Sequence, residues 1–385
     1  MLKCASVYTF EVDEPDVALM EIKTQLNEKI TLLEHTAGII MCHPEFIASG
    51  VLKYICSNLP FDLAGVTTSS QSVNEMVGEL MLTIFIMTSD DIFFKTGVVE
   101  CADDDIVAPL KAAFDNVAAV MPELPKLVIV FPPFGLRSGD VYIKAWGEIV
   151  PNTPVFGTLA IDDTATFREC ETLYKGVNSK TAMSFVLCYG NINPRFLTAT
   201  LSENNAVSSK AEVTKADGNC VYEISHMNAF KFFEEKGFAD SVLYTPFMIE
   251  MQKREDYDDV PVIRGMALFT GEGAALFHGD VNEGSTVTLL RCEPDDIVST
   301  TRREIQRINE FSDVNGALLF PCVVRRVSLL DINKPLLELQ VAKDEINRDI
   351  PFMMGYAGGE ICPTSVRNGA LKNCFHNYSL VILVI

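Results

Sequence analysis

Apolar positions in the first 160 residues come in short runs separated by amphipathic stretches, a pattern that predicts strand and helix in turn. Residues 2–10 read as a strand. Asp13-Glu14-Pro15 then opens a helix, because an acid near the helix start and a proline in the first turn suit its unpaired amides. A short apolar run at 38–42 predicts a second strand. His43-Pro44 opens a second helix with Ile47, Val51, Leu52 and Ile55 on one face, and residues 61–66 return as a strand. Strands at 79–88 and 126–131 bracket a helix over 104–120, and a helix at 140–149 leads into a strand at 155–160. The first half therefore reads as an α/β layer.

After residue 162 the pattern shifts. Strand-like runs at 166–174 and 181–189 flank Gly176-Val177-Asn178-Ser179, a hairpin-type turn. Beyond Asn193-Pro194 a second unit begins, with strands at 210–214 and 220–224 on either side of Asp217-Gly218-Asn219 and a short helix at 228–235. Strands at 260–269, 274–278 and 286–290 follow, then helices at 295–309 and 335–348 with a strand at 316–324 between them. This half is α+β. A chain of 385 residues exceeds the size at which one core keeps growing. The predicted architecture is α/β, with two intimately packed mixed-sheet subdomains and covering helices, spanning 1–193 and 194–385. No repeat of about 20 to 50 residues emerges, which excludes a solenoid.

Charge narrows the partners. The chain carries 31 Lys and Arg against 52 Asp and Glu, a net charge of −21, and no basic cluster exceeds Arg302-Arg303 or Arg325-Arg326. Such a field repels phosphate, so neither nucleic acid nor an anionic membrane is an expected partner. No window of about 18 uncharged apolar residues occurs and the N-terminus has no leader pattern, so a soluble, cytoplasmic protein is expected. The eleven cysteines lack C-x-x-C or zinc-ligand spacing and sit mostly inside apolar runs. They read as small buried hydrophobes in a reducing compartment, and no metal is expected.

Candidate chemistry concentrates near the C-terminus. There Gly355, Gly358, Gly359 and Gly369, with Pro351 and Pro363, accompany Glu360, His376 and Asn377. Glycine permits close approach to the backbone, and a carboxylate and an imidazole beside such a turn can converge on a small molecule. The same residues also suit an ordinary turn and strand edge. Gly65-Val66-Thr67-Thr68-Ser69-Ser70 supplies hydroxyls at the carboxyl end of a strand, where α/β sheets bind ligands, or is a plain turn. The loop 134–140 offers Arg137 and helix-start amides to an anion, or a plain N-cap in Ser138 or Asp140. Walker spacing is absent. Cys322-Val323-Val324-Arg325 reads as the end of a buried strand, and Cys322, His376 and Glu360 are residue types that could serve as nucleophile, base and orienter. The local signatures of thiol enzymes are missing. Asp103-Asp104-Asp105 and Asp258-Asp259 read as solvated acids, and His226 and His278 as surface or core histidines.

Taken in order, several of these segments resemble the FIST family. Gly65-Val66-Thr67-Thr68, Gly135-Leu136-Arg137-Ser138-Gly139-Asp140 and Pro154-Val155-Phe156-Gly157-Thr158-Leu159-Ala160-Ile161-Asp162-Asp163 are similar to its N-terminal region. Val221-Tyr222-Glu223-Ile224, Arg264-Gly265, Phe277-His278-Gly279-Asp280-Val281-Asn282-Glu283-Gly284, Cys322-Val323-Val324-Arg325 and Gly355-Tyr356-Ala357-Gly358-Gly359-Glu360-Ile361, with His376-Asn377, are similar to its C-terminal region. After Thr68 the chain continues Ser69-Ser70 where the family pattern brings a second glycine, which weakens a backbone-cradled anion there.

The resemblance implies an intracellular sensory domain, here standing alone, that binds a small ligand such as an amino acid between its halves and signals to a separate protein. Thr67, Thr68, Arg325, Tyr356, Glu360, His376 and Asn377 are the expected ligand-binding residues. Arg325 would pair with a ligand carboxylate, Glu360 with an ammonium, and Tyr356 would help enclose the side chain. No catalytic residue is expected. Two alternatives stay open: a thiol enzyme using Cys322, His376 and Glu360, and a gas sensor with non-covalent haem on His376, since C-x-x-C-H is absent.

Overall fold

A computed structural model describes the chain except for residues 104, 136, 165, 239–245, 251–261 and 366–369. Asp104, Leu136, Asp258-Asp259, the start of the strand expected at 260–269, and Gly369 thus lie outside the described residues. The fold is α/β, with mixed sheets and covering helices in two subdomains. Its helices are α1 (Pro15–Lys29), α2 (Glu45–Ala48), α3 (Val51–Asn58), α4 (Val107–Ala118), α5 (Gly139–Ile149), α6 (Ala229–Glu235), α7 (Pro294–Glu310), α8 (Val323–Leu330) and α9 (Leu337–Glu345).

The first sheet runs Lys3–Thr9, Leu82–Ser89, His35–Cys42, Asp62–Thr67, Thr172–Tyr174, Val177–Ser179. In the second the order is Leu371–His376, Glu360–Ser365, Val155–Thr158, Leu127–Phe131, Ala182–Gly190, Ile92–Glu100. The third is Arg195–Ala199, Leu380–Val384, Ala317–Pro321, Phe352–Gly355, Gln71–Val73, Val77–Gly78. A fourth, antiparallel sheet contains Ala211–Asp217, Cys220–Ile224, Val262–Phe269, Ala275–Phe277 and Thr286–Leu289. Two strands from the C-terminal stretch thus complete the second sheet, and two from the N-terminal stretch complete the third.

Three strand–helix–strand units lie inside this arrangement. His35–Cys42 pairs in parallel with Asp62–Thr67 across α2 and α3, Leu127–Phe131 with Val155–Thr158 across α5, and Ala317–Pro321 with Phe352–Gly355 across α8 and α9. Parallel neighbours require a crossover, and a helix that buries one apolar stripe on the sheet provides it. The main core runs through both halves, with Phe131 and Phe156 from one and Phe320, Met354 and Ile382 from the other. Phe156 stacks on Phe320 with ring centroids 5.2 Å apart. Arg264 and Asp140, both almost fully buried, form an ion pair at 3.3 Å between α5 and Val262–Phe269. Among the described residues, no helix is long and apolar enough to cross a membrane.

Most expected elements occur within a few residues of their predicted bounds, with instructive departures. The second helix breaks at Gly50, whose φ of +84° is left-handed, into α2 and α3. Val177–Ser179, read as turn, is itself a short strand paired with Thr172–Tyr174. Ile92–Glu100 is a strand that the pattern did not announce, because Lys95, Thr96 and Gly97 interrupt its apolar run. The expected strand at 316–324 stops at Pro321, and Val323–Leu330 is helix. A buried apolar run of this length does not by itself separate strand from helix. Proline has no N–H for the ladder, and the ladder ends there.

Candidate functional site

A cavity of about 330 Å³ lies off the carboxyl ends of the two parallel pairs of the second and third sheets. Each of their four strands sends its next residues into the wall: Phe134 follows Leu127–Phe131, Asp162 follows Val155–Thr158, Cys322 follows Ala317–Pro321, and Gly358 follows Phe352–Gly355. Carboxyl ends of parallel strands are where open α/β sheets leave a crevice, since the chain departs there toward its helices in different directions. The wall is mainly apolar and aromatic. Phe134 meets Phe167 edge-on at 5.8 Å and His278 at 5.9 Å, while Val323, Val327 and Leu330 present one face of α8.

Cys322 caps the N-terminus of α8 in extended geometry. Its amide donates to Ser379 O at 2.9 Å and the next amide to Ala357 O at 2.8 Å, which fixes the turn from strand to helix. The thiol is side by side with the Glu360 carboxyl, and the amides of Val324 and Tyr378 lie against the sulfur. Burial pushes the thiol well up, so the neutral form is favoured. Burial likewise holds the Glu360 carboxyl well above the usual carboxylate range. Ser379 N donates to its Oε2 at 3.4 Å, and its Oε1 has no hydrogen-bond partner.

The seven expected site residues are distributed unevenly around this cavity. Asn377 lines it, and its Oδ1 accepts from Gly265 N at 3.0 Å. Glu360 sits behind Cys322. Thr68 Oγ1 donates to Tyr356 O at 2.8 Å, and Thr67 Oγ1 accepts from Glu171 N at 2.9 Å, so both hydroxyls hold backbone. Tyr356 is buried with its hydroxyl toward Pro335 O. Arg325 is fully buried on the opposite side of α8 from the cavity, where Nε and Nη2 bond Glu338 Oε1 at 2.9 and 2.7 Å and Nη2 bonds Thr301 Oγ1 at 2.9 Å. His376 is buried in the hairpin 360–376, with Nε2 3.3 Å from both Cys362 O and Thr364 Oγ1 and Nδ1 unpartnered. Burial lowers its pKa to about 4, so the imidazole is neutral. No hydrogen bond among the described residues joins His376 to Cys322 or Glu360, so the structure does not assemble a thiol–imidazole pair.

Other residues shape the wall without having been singled out as ligand contacts. His278 is the histidine that faces the cavity, and burial lowers its pKa. Asp162 builds the loop that carries Phe167: its Oδ1 accepts from Thr164 N and Thr164 Oγ1, both at 2.7 Å, and its Oδ2 accepts from Glu169 N. Asp163 reaches His43 at 3.2 Å. Arg326, next to Arg325 but on the cavity face of α8, pairs with Glu79 at 2.7 Å. Helical spacing is the signal that would have found this face, since 323, 326, 327 and 330 share one side of a helix.

Comparison with known families agrees with this division of the cavity wall. The FIST N domain matches residues 36–227 and the FIST C domain residues 229–363. Phe134 and the loop 162–167 come from the first match, and Gly265, Cys322 and α8 from the second; His376 and Asn377 lie beyond it. No curated protein matches the chain significantly.

Proposed function

The chain belongs to the FIST family of sensory domains for small ligands, and from that premise we propose that it holds a small, largely apolar ligand in the cavity between its two domains and passes the event to a separate partner. One observation carries the reading: both family domains contribute wall to a single cavity of about 330 Å³ at the carboxyl ends of their parallel strands. That size is within the range of small-molecule sites. A ligand touching Phe134 and Phe167 on one side and Val323, Val327 and Leu330 on the other stabilises one relative arrangement of the two domains, which is how occupancy becomes a change of outer surface. An apolar amino acid is the ligand class tried first.

The test is thermal unfolding against the twenty amino acids and small apolar amines, amides and carboxylates at millimolar concentration. At least one is expected to raise the melting temperature of the wild-type protein and to lose that effect in Val327→Trp, which fills the cavity. The reading fails if no compound stabilises the protein, or if the stabilisation survives Val327→Trp.

A further inference from the structure

Arg326 is the cation whose own hydrogen bonding is unfinished at this cavity. Its side chain is 13% exposed, and it lines the cavity along the face of α8 that also carries Val327 and Leu330. One end of the guanidinium, Nη2, bonds Glu79 Oε1 at 2.7 Å, and Glu79 is itself half in solvent. Its Nε is buried and has no hydrogen-bond partner. A buried N–H left unpaired is costly and uncommon, so a guanidinium that lines a cavity with one N–H unpaired gains by turning onto an acceptor that enters.

The other charged groups of the wall are already engaged. Asp162 is saturated by its own loop, through Thr164 and Glu169. Asp163 faces His43. Arg325, one residue away, points into the core and is occupied by Glu338 and Thr301. A planar guanidinium with Nε free matches a carboxylate better than any neutral acceptor, because the charge-assisted bond is roughly twice as strong.

We propose that Arg326 anchors a carboxylate in this cavity, so that the ligand is a small monocarboxylate whose apolar body packs between Phe134, Phe167 and Val327. This assignment rests on the ligand-binding reading of the same cavity and adds the ligand's charged group and the residue that selects it. Glu79 competes with the ligand for the guanidinium and so weakens binding. The carboxylate belongs either to a simple acid or to the zwitterion of an amino acid, and both present the same group to Arg326.

The experiment is titration calorimetry of the full chain with 3-phenylpropanoate, 3-phenylpropanamide, 4-methylpentanoate, 4-methylpentanamide, phenylalanine and leucine. At least one carboxylate is expected to bind about 10-fold or more tighter than its amide, the range of a hydrogen bond to a charged group. Tighter binding of the amino acid than of the matching simple acid assigns the zwitterion; the reverse assigns the simple acid. Arg326→Gln is expected to remove the preference over the amide while leaving amide binding in place, and Arg326→Lys, which keeps charge without the Nε–H, to restore it only in part. Glu79→Gln, an exposed change that leaves folding intact, is expected to tighten carboxylate binding. Equal affinity for acid and amide, or carboxylate binding unaltered in both Arg326→Gln and Glu79→Gln, overturns the role of Arg326. Under those outcomes, probe binding that is lost in Val327→Trp leaves the cavity reading standing. If no probe binds at all, the carboxylate assignment falls, and the thermal-unfolding panel decides the cavity reading.

Discussion

Arg325 Nη2 and Glu338 Oε1 lie 2.7 Å apart, with neither side chain exposed to solvent. The pair ties α8 to α9, and Thr301 of α7 donates to the same carboxylate oxygen at 2.7 Å. Three helices thus meet on one buried ion pair, while the neighbouring Arg326 turns to the cavity.

Removing one member of such a pair leaves an uncompensated buried charge. Arg325→Ala is expected to lose about 3–5 kcal/mol of stability by urea unfolding. The double change Arg325→Met with Glu338→Leu is expected to lose distinctly less, because no charge is then left in the core. A single variant as stable as wild type would show that the pair does not hold the helices.

His376 makes stability fall on the acid side. Its folded pKa is lowered to about 4 by burial, whereas an unfolded histidine titrates near 6.5. Between those values the unfolded chain takes up a proton that the folded chain refuses. Stability is therefore lost progressively as pH falls from about 6.5 to about 4, by up to about 3 kcal/mol. His376→Gln is expected to flatten this part of the profile, measured as unfolding free energy at half-unit pH steps.

Glu360 acts with the opposite sign. Its folded pKa is raised by burial, so the folded chain holds a proton that the unfolded chain releases above about pH 4.3. Its contribution is complete below that value and declines as pH rises toward the folded pKa. Glu360→Gln mimics the neutral acid and is expected to hold its stability better than wild type as pH is raised. The wild-type infrared spectrum is expected to contain a protonated carboxyl band that the variant lacks; its absence would place the proton elsewhere.

Gly358 lies at the seam of the domains, its amide donating to Leu159 O at 3.0 Å. A Cβ at this position would stand 2.4 Å from Ala160 O, a backbone atom that cannot rotate away. Gly358→Ala is expected to destabilise by roughly 1–3 kcal/mol through forced backbone shifts. It should also weaken any ligand of the cavity, since Gly358 is part of the wall. Unchanged melting would mean that the seam yields at little cost.

Element types were largely legible because hydrophobic period and turn chemistry are local. Asp13-Glu14-Pro15 does mark the start of α1, and Asp217-Gly218-Asn219 does stand between paired strands. The site was legible only in outline. Cys322, Asn377 and the segment around Gly358 do meet at one cavity, but Arg325 lies in the core while Arg326 lines the wall, because one step along a helix turns a side chain by roughly 100°. The apolar run at 316–324 gives no sign of that rotation, which arises because Val323–Leu330 is helix.

By itself the sequence determined the α/β class, the run of most of its elements, a net charge of −21 and the family, because each depends on residue type and short-range order. Tertiary structure alone decided that strands 360–365 and 371–376 join a sheet of the N-terminal part, and that Glu360 sits behind a thiol in place of facing solvent. It also decided which of two adjacent arginines is core and which is cavity wall. Those outcomes depend on contacts between residues up to hundreds of positions apart. Burial, which sets both the ionisation of Glu360 and His376 and the direction each side chain faces, exists only once the sheets have packed.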